Sequence, residues 1–158
     1  MKGLVHIYTG NGKGKTTAAI GLGIRAYGRG FKILMVQFLK GQETGEMATL
    51  KMLAPSFVLH RGKEVLKFTW KMTEEELRET REGQQEIFKF AANEAANGDW
   101  DMIILDEVMG AISSGMLDLA QVVSFVKDKP DRLELVMTGR NAPEELAELA
   151  DYLSEIRA

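Results

Sequence analysis

The sequence predicts an α/β protein built on a mostly parallel sheet with helices on both faces. Three observations carry this expectation. Apolar runs of strand length alternate along the chain with segments of helical period. A glycine-rich turn, Thr9-Gly10-Asn11-Gly12-Lys13-Gly14-Lys15-Thr16-Thr17, joins the first apolar run to the first helix. A later apolar run, Met102-Ile103-Ile104-Leu105, ends in the acidic pair Asp106-Glu107.

Taken in order, Leu4 to Tyr8 is apolar apart from His6, as expected of a strand in the middle of a parallel sheet. A helix follows from about Lys15 to Tyr27 and stops at Gly28-Arg29-Gly30. Its interior glycines, Gly21 and Gly23, lower its propensity but allow close packing on the sheet. Lys32 to Phe38 is the second strand, so the first three elements form a right-handed βαβ unit. Met47 to Leu53 reads as a short helix ended by Ala54-Pro55, and Phe57 to His60 as a short third strand. Arg61 to Lys71 reads as a loop. Thr73 and Glu76 form a capping box for a helix that buries Leu77, Gln84, Phe88, Ala91 and Ala95 and ends at Asn97-Gly98. After the fourth strand, Gly110 to Gly115 is a loop or broken helix, and Leu117 to Lys127 is helical. Leu133 to Thr138 is the fifth strand. A last helix is expected from near Asn141, with Pro143 in its first turn and Leu146, Leu149, Ala150 and Leu153 inward. Ser154 to Ala158 offers a final short strand.

At 158 residues, 45% hydrophobic and 27% charged, the chain is expected to fold as one domain over residues 1–158. A net charge of −3 provides no global field for nucleic acid. The absence of cysteine excludes disulfides, thiolate metal sites and a cysteine nucleophile. No apolar run approaches the roughly 18 residues of a membrane span, and no signal peptide precedes the first strand, so the expectation is a cytoplasmic protein.

In a parallel sheet, ligands bind at the C-terminal ends of the strands. Three features converge there: the glycine-rich loop, Asp106-Glu107 and Thr138-Gly139-Arg140. The loop reads as an altered Walker A, because position 9 is Thr9 and the first glycine is Gly10. Loop N–H groups and Lys15 would bind phosphates, the Thr16 hydroxyl would face a magnesium ion, and the acidic strand end would act as a Walker B. Phe68 and Trp70 lie in the unassigned loop. They either plug the core or form a flat apolar wall for a large ligand. His6 and His60 lack partners at metal-ligand spacing and read as structural or exposed.

Gly10 to Ala19, Gln37-Phe38-Leu39-Lys40-Gly41, Gly45-Glu46, Phe68-Thr69-Trp70, Ile104 to Glu107 and Thr138-Gly139-Arg140-Asn141-Ala142-Pro143 occur in that order. Together they resemble the P-loop type of ATP:corrinoid adenosyltransferase over essentially the whole chain. The resemblance implies a RecA-like P-loop α/β fold, usually in a homodimer, that moves the 5′-deoxyadenosyl group of ATP to cobalt in cobalamin biosynthesis or salvage, with release of triphosphate. It implies that Gly10, Asn11, Gly12, Lys13, Gly14, Lys15, Thr16 and Thr17 contact ATP, and Arg140, at a strand end near the site, is expected to add another positive contact. Thr16 and Glu107, with Asp106 nearby, would hold magnesium (or manganese), Lys15 and Glu107 being the catalytic pair. Phe68 and Trp70 would lie against the corrin and displace its lower ligand. Flavodoxin or free reduced flavin would supply the electron. Two departures stand out: Val65-Leu66-Lys67 replaces a small-residue run before Phe68, and the sequence stops at Ala158 where the family continues into a basic tail. The first departure bears on how the loop places Phe68 and Trp70. The second implies either looser corrinoid binding, if the tail closes the active site, or a tail that lies outside this sequence.

Cobalt(I) is itself the nucleophile, so the reaction needs no general base, and a chain without Cys or a Ser–His pair suits it. The glycine displaced to position 10 would let the loop hold the triphosphate as one leaving group, running in another direction than in an ordinary P-loop. Two rival readings use the same loop: a nucleoside or small-molecule kinase, and a non-enzymatic RecA-type ATP-binding module with a regulatory or DNA-handling role.

Overall fold

A computed structural model describes residues 2–158. Six strands form one all-parallel sheet: β1 (Val5–Thr9), β2 (Ile33–Gln37), β3 (Phe57–Arg61), β4 (Met102–Asp106), β5 (Glu134–Thr138) and β6 (Tyr152–Glu155). Their spatial order is β3-β2-β4-β5-β1-β6. Helices α1 (Lys15–Gly28) and α2 (Gly45–Lys51) cover one face. Helices α3 (Glu74–Asn97), α4 (Val108–Ser113), α5 (Leu119–Lys127) and α6 (Glu144–Ala147) cover the other. This is the α/β layering expected of a RecA-like P-loop fold.

Burial follows position in the sheet. β2 and β4, in the middle, are buried along their whole length and are apolar almost throughout. The edge strand β6 is exposed along its length, and its neighbour β1, flanked by β5 and by β6, alternates buried and half-buried residues. His6 is half-buried there, 2.8 Å from Glu134 of β5 and stacked on Tyr152 of β6. One of the two helix glycines has a packing role. A Cβ on Gly23 would come within 2.8 Å of the Phe57 ring, whereas Gly21 faces open space.

The broken helix offered for Gly110 to Gly115 is present as α4, which starts earlier, at Val108, with Glu107 alone between it and the strand end, and stops at Ser113. Three expectations are corrected. The helix after Asp118 begins at Leu119, where Asp118 and Gln121 make a capping box. The last helix stops at Ala147, and Leu153, expected to be inward on it, lies exposed in β6. That final strand covers Tyr152–Glu155 rather than starting at Ser154. Asp151 explains the change: its N–H donates to the Val5 carbonyl and its carboxylate accepts from the Val5 N–H, both at 2.8 Å, which seats the chain on the free edge of β1.

Candidate active site

The parallel register aligns the C-terminal ends of β2, β4, β5 and β1, pairing Gln37 with Asp106 and Tyr8 with Thr138. The sequence-predicted residues therefore meet along one edge of the sheet.

The glycine loop begins one residue past the end of β1. Thr9 stays extended as the last strand residue, and its position explains the displaced glycine. The Thr9 hydroxyl donates to the Gly139 carbonyl (2.7 Å) and accepts from the Ala142 N–H (3.1 Å), so it ties the loop to the Thr138–Ala142 turn. Gly10 then supplies the left-handed backbone, with φ of 108°. Any side chain there would strike the Ile156 backbone, since a Cβ would lie 2.2 Å from its carbonyl oxygen. The Gly12 N–H donates to that same carbonyl at 2.8 Å. Gly14 caps α1 with φ of 113° and offers no side chain to the first turn. The first-turn N–H groups and the positive end of a 14-residue helix consequently face the cleft.

That cleft has a volume of about 440 Å3 and is lined by the loop from Asn11 to Thr17 with Glu107 and Arg140. Lys15 folds back over the loop, its ammonium donating to the Gly12 carbonyl at 2.8 Å. Arg140, which is exposed, also lines the cleft.

Asp106 is fully buried, and its carboxylate is saturated with donors. Oδ1 accepts from the hydroxyls of Thr16 (2.9 Å) and Thr138 (2.7 Å). Oδ2 accepts from Gln37 Nε2 at 3.2 Å and lies 3.4 Å from the Lys40 ammonium. A buried carboxylate without such partners would be strongly unfavourable. Of the two acids it is Asp106 that reaches Thr16. Glu107 turns the chain from β4 into α4 with φ of 63°, an uncommon conformation for a residue with a long side chain. Its N–H donates to the Thr138 hydroxyl at 2.9 Å, and its carboxylate lies over Gly110. A hydroxyl and a carboxylate in contact are hard oxygen donors of the kind that bind one magnesium ion when phosphates and water complete the shell. Among the described residues no group of three His, Asp or Glu forms a cage that would hold a cation alone.

Phe68 and Trp70 neither plug the core nor extend as a strand. They flank the start of a single 3₁₀ turn (Thr69–Lys71) and stack face to face, with ring centroids 4.5 Å apart and planes 4° from parallel. They are 62% and 76% exposed. With Leu39, Val65, Leu66, Lys67, Gly110, Ser113 and Ser114, they line a second cavity of about 310 Å3. Helix α4 and its N-cap stand between the cavities: the N-cap Glu107 lines the glycine-loop cleft, and Gly110, three residues on, lines the aromatic one.

The family model for ATP:corrinoid adenosyltransferase BtuR/CobO/CobP matches residues 1–158. The chain belongs to this family. The corrinoid adenosyltransferase of Escherichia coli strain K12 is 35% identical over 158 residues, an alignment that covers 99% of this chain and 77% of the relative. The Pseudomonas aeruginosa corrinoid adenosyltransferase is 34% identical over 162 residues, covering 98% and 75%. In Salmonella typhimurium the corrinoid adenosyltransferase CobA is 33% identical over 158 residues, covering 99% and 77%. Against this adenosyltransferase family background, sequence reasoning overlooked Thr9, Gln37 and Lys40 as site residues. The legible signal was a glutamine ending an otherwise apolar strand, and a lysine three residues beyond it.

Proposed function

We propose that this protein transfers the 5′-deoxyadenosyl group of ATP to the cobalt of a corrinoid substrate, releasing triphosphate. The observation that carries the reading is the shared wall of α4 and its N-cap, which sets a phosphate-type cleft beside an exposed aromatic platform. A nucleotide and a large flat ligand can meet across it. Membership of the adenosyltransferase family supports the same pairing of substrates.

The chemistry asks for positioning and charge stabilisation rather than proton transfer. Cobalt(I) in the corrinoid substrate donates an electron pair to C5′, the Co–C bond forms, and the C5′–O bond breaks with its pair leaving on triphosphate. Loop N–H groups, Lys13, Lys15 and Arg140 are placed to bind that triphosphate, and Lys15 leaves the Gly12 carbonyl to do so. Thr16 and Asp106 would hold magnesium, which supplies further positive charge to the leaving group. Glu107 closes the cleft beside them. Phe68 and Trp70 give the corrin face an apolar seat that excludes water. The glycine displaced to position 10 lets the loop run the triphosphate in another direction than an ordinary P-loop does, and a structure with ATP running the usual way would refute that point. The rest of the reading is a single-domain cytoplasmic homodimer whose corrinoid substrate is reduced by flavodoxin or free reduced flavin. It rests on the family resemblance.

Anaerobic incubation with ATP, magnesium and cob(I)alamin tests the reaction. A spectral change to a light-sensitive alkylcobalamin with release of triphosphate is expected. ADP as product would instead indicate phosphoryl transfer, and an unchanged corrinoid spectrum would sink the proposal.

A further inference from the structure

Lys40 stands between the two cavities. Its ammonium is the one charged partner that Asp106 has among the described residues, at 3.4 Å, and its side chain is only 30% exposed. The backbone of the same residue holds the aromatic loop, because the Lys40 carbonyl accepts from the Val65 N–H at 3.2 Å. Next to it, Gly41 lies so close to Val65 that a Cβ would be 3.1 Å from the Val65 carbonyl oxygen. On the other side, Leu39 lines the aromatic cavity and sits in the left-handed region with φ of 53°. Leu39 is held there by the buried Gln84, whose Oε1 accepts its N–H at 3.0 Å. A leucine in that region persists only where its surroundings impose it. The segment is thus anchored at one end to the carboxylate of the nucleotide cleft and at the other to the strand of loop that leads into Phe68 and Trp70.

We propose that Lys40 is a positioning residue that couples occupancy of the nucleotide cleft to the placement of Phe68 and Trp70. The inference rests on the reading of that cleft as a magnesium–nucleotide site. A divalent cation at Thr16 and Asp106 competes with the Lys40 ammonium for the same carboxylate and repels it. Lys40 then gives up Asp106. Its backbone carries Val65 with it and releases the constraint on Leu39, and the stacked pair shifts into the position that seats the large substrate. Differential contact of this kind is what coupling between two sites requires.

Trp70 reports the change directly. In a Trp100→Phe background it is the remaining tryptophan, so its emission can be followed during titration with magnesium–ATP and no corrinoid present. The parent protein should give a saturable change that follows calorimetric ATP binding. Lys40→Met and Lys40→Gln should still bind ATP by calorimetry but lose the Trp70 response, Gln keeping an amide donor for Asp106 without the charge. Lys40→Arg should retain it. With corrinoid added, the affinity ratio with and without ATP should lie in the roughly 5- to 150-fold range of ordinary coupling for the parent and fall toward one in the Met variant. A Met or Gln variant that binds ATP and responds like the parent overturns the proposal, as does a parent that binds ATP with no change at Trp70. A parent that shows no heat of ATP binding overturns the reading of the cleft, and the proposal with it. Melting curves establish that each variant is folded.

Discussion

Asp106 concentrates the polar chemistry of the edge into one buried carboxylate. Asp106→Ala leaves the Thr138 hydroxyl and the Gln37 amide without their acceptor, and removing one side of such a buried network costs about 3–5 kcal/mol. Asp106→Asn is expected to cost only about 1 kcal/mol, because its amide can face the two hydroxyls, which accept as well as donate, while its oxygen faces Gln37 and Lys40. Both should lose the magnesium dependence of ATP affinity, and calorimetry with and without magnesium would separate this from the stability effect measured in urea. Lys15→Ala should abolish turnover, and Trp70→Ala should slow the corrinoid step while sparing ATP affinity. Equal loss of ATP affinity in both would contradict that division. At this scale the glycine loop was legible in the sequence because main-chain geometry dictates it: glycines for positive φ, with a lysine and threonine at fixed offsets. Thr9 was not, since its hydrogen bonds go to Gly139 and Ala142, far away in the chain.

Elements were legible where local pattern and tertiary packing agree. The Thr73–Glu76 capping box starts α3 as expected, with both reciprocal hydrogen bonds present. They were not where packing overrides pattern. Leu146, Leu149, Ala150 and Leu153 have helical spacing, yet the open edge of β1 takes the chain from Asp151 onward as a strand. Gly110 and Ser113 are weak helix formers, yet α4 holds because it packs Val108, Met109 and Ala111 into the core. The two interior glycines of α1, Gly21 and Gly23, should separate under mutation for the same reason. Gly21→Ala fills open space and should stabilise by roughly 0.5–1 kcal/mol. Gly23→Ala must displace the Phe57 ring and should destabilise, as chemical denaturation would show. Between β3 and α3, His60 stacks on Phe90 with centroids 3.9 Å apart. Burial holds the His60 imidazole below its ordinary value of 6.5, against the opposing pull of Glu94. Its contribution to stability is therefore fully present above pH 6.5 and is lost as the pH falls below 6.5 through the lower folded value. His60→Gln should flatten that part of a plot of melting temperature against pH, and an unchanged slope would contradict the assignment.

For the whole molecule, the parallel sheet puts four separate stretches of sequence on one edge, so ligand binding and global stability are linked. Magnesium–ATP at about 100 times its Kd should stabilise the native state by about 2.7 kcal/mol. For a chain of this size that corresponds to a rise of about 5–10 °C in melting temperature. Lys15→Ala should remove most of the rise, and a scanning fluorimetry series would show it. The α/β class and the functional edge were legible because alternation of strand and helix leaves few topologies. The aromatic platform was not, because nothing in the local sequence says whether Phe68 and Trp70 turn inward or stack in the open.

The contact of Gly10 and Gly12 with Ile156 bears on when the glycine loop takes shape. Nearly the whole chain separates the two partners, so the glycine loop of a nascent polypeptide lacks one of its walls until residue 156 has emerged and β6 has docked. A chain interrupted before β6 would have most of its sheet and core, yet its Gly10–Gly12 turn would lack the Ile156 backbone it rests on. Such long-range closure belongs among the slower events of folding, so the turn reaches its final shape late.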